Sequence, residues 1–156
     1  MTAVAASPHG VRAELTGAER RLAWLLRLLA LLFAIGAVAF LLRPDDTVRA
    51  LDRVGVLIGL PALPPSPMPM ASDFWLALGV ANMATIAACA WLAAVDVRAR
   101  RALVYPIVVS KFASALTGLL LFARWSASFP FLAIALVDLP IAAVLLAGLR
   151  RARPGG

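Results

Sequence analysis

Residues 102–149 read ALVYPIVVSKFASALTGLLLFA, then RWSAS, then FPFLAIALVDLPIAAVLLAGL. Two apolar runs of 22 and 21 residues are separated by five, and each apolar run holds one charge, Lys111 or Asp138. An α-helix rises about 1.5 Å per residue, so either run crosses the roughly 30 Å hydrocarbon layer of a bilayer. A five-residue connection, Arg124 to Ser128, leaves the two helices no arrangement but antiparallel neighbours.

Two further runs of the same kind lie upstream. The spans are predicted at about 22–42, 74–95, 102–123 and 129–149. Composition agrees, with 63% hydrophobic residues and a mean hydropathy of +0.92. Soluble domains are about half apolar, and a chain of this size could not hide so much apolar surface from water. The fold class expected is all-α: an integral membrane four-helix bundle, up-down-up-down, forming a single domain over residues 1–156.

The segments between the spans are informative. Residues 1–15 are polar and without apolar periodicity, and are expected to be disordered. Thr16 and Glu19 have the spacing of a capping box. The first span resembles a signal peptide only superficially: it is full length and no small-residue cleavage site follows Phe40-Leu41-Leu42-Arg43, so a retained helix is predicted. Asp45 or Asp46 can cap a short helix at about 46–60. Its apolar residues Val48, Leu51, Val54 and Ile58 fall on one side, with Asp45, Arg49, Asp52 and Arg53 on the other. Such a helix is too short and too charged to span, and suits a membrane surface, a cap on the bundle or contact with another chain. The prolines of residues 61–69 predict an extended strap. Ser72 or Asp73 can cap the second span.

The net charge of +7 rests on fourteen Arg and one Lys. The arginines cluster between apolar runs and are not interleaved with aromatics, which points to topology and anionic lipid headgroups rather than nucleic acid. Nine arginines fall on the side of the N-tail, the 96–101 loop and the C-tail, and four on the other. The positive-inside rule then puts both termini in the cytoplasm and the amphipathic helix outside. The Arg- and Ala-rich composition suggests a bacterial inner membrane. Cys89 is the one cysteine and His9, in the tail, the one histidine. No cofactor is expected: a haem would need axial ligands within the membrane, and neither a Cys-based zinc site nor any other metal site can be assembled.

Ionisable groups deep in a bilayer cost roughly 2.5–3.5 kcal/mol and are by default candidates for function. Arg27 is close enough to the interface to snorkel. Lys111 and Asp138 are not. Counting along the helices puts them about 14 and 16 Å from the cytoplasmic edge, matching depths for an ion pair. Asn82 and Thr85 of the second span, and Ser114 of the third, add a polar layer near the midplane. Pro140 frees the carbonyl of Leu136 beside Asp138. A buried Lys–Asp pair can fix helix register or serve as a working site. Arg never yields its proton in a protein, whereas buried Lys can, so the lone Lys at this depth leans toward a group that must sometimes be neutral. Three functions remain open. One is a non-enzymatic accessory or scaffold subunit of a membrane assembly, with other subunits or itself as partner. Another is a small proton- or ion-coupled transporter using Lys111 and Asp138. The third is a lipid- or quinone-handling protein, for which the inner loops offer few acids.

Overall fold

A computed structural model describes residues 14–64 and 69–152. Residues 1–13 of the tail expected to be disordered, and 65–68 of the proline strap, lie outside the described residues. The described residues form five α-helices: α1 (Gly17–Leu42), α2 (Pro44–Leu57), α3 (Pro69–Val95), α4 (Val104–Arg124) and α5 (Phe129–Arg151), with one 3-10 turn at Arg101–Leu103 before α4. Four of them, all but α2, are long and apolar enough to cross a membrane.

The start of α1 follows from its sequence. The Thr16 hydroxyl accepts the Glu19 N–H, and the Glu19 carboxylate accepts the Thr16 N–H at 2.7 Å, satisfying two helix-end donors reciprocally. Two other boundaries differ from expectation. Neither Asp45 nor Asp46 caps α2. Arg43 precedes the helix and Pro44 opens it, because proline's fixed φ suits the first helical position and its missing N–H costs nothing there. The aspartates occupy the first turn, where they complement the helix dipole. The helix also ends at Leu57, not Leu60. Gly59 takes φ +84°, and the Leu60 N–H donates to the Gly55 carbonyl at 2.9 Å and Gly59 to Val56 at 3.0 Å, a glycine-terminated stop. Likewise α3 opens on Pro69, so Ser72 and Asp73 lie inside it rather than ahead of it.

The apolar side of α2 is rotated from its expected position. Val48 and Leu51 turn inward with Gly55, while Val54 and Ile58 are exposed. Asp52 is not on a solvated face. Its carboxylate accepts the Leu63 N–H at 2.8 Å and ties down the chain after the helix. The salt bridge Asp45–Arg49, at 3.6 Å, forms on the exposed side as the spacing predicts.

The long helices associate chiefly as two pairs, α1 with α3 and α4 with α5. Arg98, just beyond α3, reaches Glu19 at the start of α1, so these two run in opposite directions. Arg101 donates to the carbonyls of Leu149 and, at 3.3 Å, Ala152, and so caps the end of α5 from the start of α4. The shared core lies at the end bearing Glu19, Arg98 and Arg101. It draws on Leu22–Phe33 of α1, Ile86–Ala94 of α3, Val104–Val108 of α4 and Ala142–Leu149 of α5. Leu26, Ile86, Ile107 and Leu145 are fully buried there. Toward the other end the pairs separate, and α2 folds over the gap against α5 and α1. Outward, Leu31, Ile35, Phe112, Leu116 and Val144 are exposed, as a hydrocarbon solvent permits.

Candidate functional site

Lys111 sits midway along α4 and Asp138 midway along α5. Their helices are in close contact, so the depths counted from sequence coincide. The Lys111 ammonium lies 3.0 Å from Asp138 Oδ1, with each side chain 10% exposed. Ser114, one turn after Lys111, donates to Asp138 Oδ2 and stands 3.1 Å from the Lys111 carbonyl. The carboxylate is therefore held by a cation on one oxygen and a hydroxyl on the other. The ammonium also lies 4.5 Å from the centroid of the Phe33 ring of α1, within cation–π range. Among the described residues Asp138 is its one carboxylate partner, so an ammonium with three N–H donors keeps spare capacity.

That capacity faces a crevice of about 630 Å³ between the two helix pairs. Lys111, Ser114 and Asp138 lie at its deep end, where the packed core begins. Its walls are apolar: Phe40 of α1, Trp75, Leu76 and Met83 of α3, Val137 of α5. Val48 and Leu51 of α2 line the far end together with Asp45. An apolar chamber with a few convergent polar groups is the usual form of a small-molecule site.

The other residues singled out from sequence part company. Asn82 lines the crevice but pairs with Ser110 of α4, its amide donating at 3.1 Å and its oxygen lying 3.3 Å from the same hydroxyl. Thr85 does not join the layer. It is exposed and donates to the carbonyl of Ala81 in its own helix at 2.8 Å. Pro140 stands inside α5, half a turn beyond Asp138, and does not line the crevice. A second groove, of about 620 Å³, runs along the outside of α4. Asn82, Ser110 and Thr117 border it, and Asn82, Ser114 and Ile134 border both cavities.

Two features escaped the sequence reading. Phe33 looks like any other apolar residue of its run. Glu19 serves twice: besides its cap it accepts Arg98 Nε at 2.7 Å and Arg98 Nη2 at 2.8 Å, while Arg98 also donates to the Glu14 carbonyl. The hydrogen-bonded Glu19 carboxylate raises the Arg98 guanidinium further above its ordinary range. This pair and Arg101 fasten one end of the structure, opposite the open crevice. Comparison with protein-family models, curated proteins and solved structures gave no match.

Proposed function

We propose that the protein is a small, non-enzymatic carrier of the bacterial inner membrane, an up-down-up-down four-helix bundle that binds a small solute or ion at Lys111 and Asp138. The observation that carries this reading is the position of the pair. It lines a crevice between the helix pairs, next to the packed core, with α2 lining the same crevice further along. A pair serving only helix register has no need of a chamber. On the arginine distribution both termini are cytoplasmic, which puts α2 and the end of the crevice that it lines on the extracytoplasmic side. An intramembrane Lys–Asp pair lining a cavity is the kind of group that ion and proton carriers use.

Thiol accessibility tests this. In a Cys89→Ser background, Val137→Cys in the crevice wall should react in intact cells with a membrane-impermeant thiol reagent, as should Leu57→Cys on exposed α2. Leu145→Cys in the core should not. If Leu57→Cys is labelled and Val137→Cys is silent from both faces of the membrane, no aqueous route reaches the pair and the carrier reading fails.

A second reading, an accessory subunit of a larger assembly, is favoured by the groove outside α4. Asn82, Ser110 and Thr117 would there face hydrocarbon, which a neighbouring transmembrane helix would cover more favourably. Purification in mild detergent should then yield a complex of fixed stoichiometry that Ala113→Trp, in the groove, dissociates. A monomer, or a complex indifferent to that change, removes this reading.

A further inference from the structure

A third cavity has no part in the carrier reading. It is a groove of about 520 Å³ between the first turns of α1 and the last turns of α5, at the end of the structure opposite α2. Its floor is recessed where α5 presents the small residues Ala143, Ala147 and Gly148, and Leu22 and Leu25 of α1 form the facing wall. Arg21 and Arg151 line the same groove, one from each helix. Among the described residues neither guanidinium forms a salt bridge, so both are open to an anion in the groove.

We propose that this groove is a specific site for one anionic phospholipid. Its phosphodiester would lie between Arg21 and Arg151, and one acyl chain would run along Ala143 and Ala147. The chemistry of the site matches each part of that molecule. Guanidinium groups take phosphate oxygens through paired N–H donors. The small side chains leave an apolar trough that starts beside the charges and runs toward the middle of the membrane, as an acyl chain does. A water-soluble anion would use the arginines but not the trough, and a zwitterionic lipid would fill the trough but offset its phosphodiester's attraction to the arginines with its own cation. The bound lipid would bridge α1 and α5, which otherwise touch much less than the α1–α3 or α4–α5 pairs.

The test is native mass spectrometry of the full chain in mild detergent, titrated with phosphatidylglycerol or phosphatidylcholine. One phosphatidylglycerol should bind in preference to phosphatidylcholine. Arg21→Gln/Arg151→Gln should weaken it by about tenfold or more, since each basic contact with an anionic lipid is worth roughly 1 kcal/mol. Arg20→Gln/Arg150→Gln removes the same charge from exposed positions at the same end that do not line the groove, and should change binding less than about twofold. Ala143→Trp fills the trough with the arginines intact and should also weaken binding, while inorganic phosphate should not compete. Equal losses in the two arginine pairs would mean that diffuse charge holds the lipid, and would overturn the site. So would equal binding of the two lipids, or full binding by Ala143→Trp. Competition by inorganic phosphate would reassign the arginines to a soluble anion.

Discussion

Asp138→Asn, and separately Lys111→Met, should each destabilise the protein by roughly 3–5 kcal/mol, the usual cost of leaving one member of a buried ion pair alone. Asn keeps the shape of the acid and its contact with Ser114, but the ammonium then faces only an amide and the Phe33 ring. Met keeps the reach of lysine, but the carboxylate is left with the Ser114 hydroxyl as its donor. Crevice water would soften both penalties, so the lower figure is the better expectation. The readouts are the thermal midpoint in mild detergent and the amount of protein that accumulates in membranes. Lys111→Met/Asp138→Leu removes both charges and should recover most of the loss, because apolar replacement of a whole buried pair is close to neutral. The double variant then separates the two roles of the pair. If it accumulates and still complements a chromosomal deletion, the charges only hold helices together and the carrier reading is wrong. If it accumulates and fails to complement, the pair carries the activity. Lys111→Arg refines the result: it keeps the positive charge, but a guanidinium does not release its proton, so a proton-coupled carrier should be folded and inactive.

The parts of this structure that sequence could supply are those set by one helix at a time. Hydropathy is local, so the four spans were legible. Rise per residue is constant, so it was legible that Lys111 and Asp138 stand at the same level, and a five-residue turn made their helices neighbours. Ser114 followed from the i+3 relation to Lys111. What stayed hidden depends on how far each helix is rotated about its axis, which packing between the pairs decides. Depth placed Asn82 and Thr85 in the layer, but azimuth sends Asn82 to Ser110 and turns Thr85 to the surface. There a hydroxyl needs no partner helix, since the carbonyl four residues back is always within reach. Phe33 carried no signal because an aromatic ring is ordinary in an apolar run, and only its place over the ammonium is unusual. The capping spacing accounts for only part of Glu19, whose carboxylate also has the capacity to accept Arg98. The α2 boundary departs from the aspartate-cap pattern because Pro44, just ahead of the aspartates, is itself suited to the first helical position.

The frame that holds the pair together should be as sensitive as the pair. Gly118 lies one turn after Ser114 and faces α5. A Cβ there would stand 2.6 Å from the Phe131 carbonyl oxygen and 3.2 Å from Ile134 Cβ. The first of these is backbone, which cannot rotate away as a side chain would. Gly118→Ala must therefore push α4 and α5 apart. Alanine gains about 1 kcal/mol of helix propensity over glycine, but overpacking of this kind costs typically 1–3 kcal/mol, and a rigid obstacle puts it at the upper end. A net loss of about 1–2 kcal/mol is expected. Gly79 supplies the control, since a Cβ there meets nothing within 4 Å. Gly79→Ala should keep the propensity gain without the clash, and leave stability unchanged or raised by up to about 1 kcal/mol. The two variants make the same chemical change on neighbouring helices, and only Gly118→Ala should lower the thermal midpoint. Should Gly118→Ala prove as stable as Gly79→Ala, α4 and α5 are not in contact at this depth. The 3.0 Å approach of Lys111 to Asp138 would then lose the packing that enforces it.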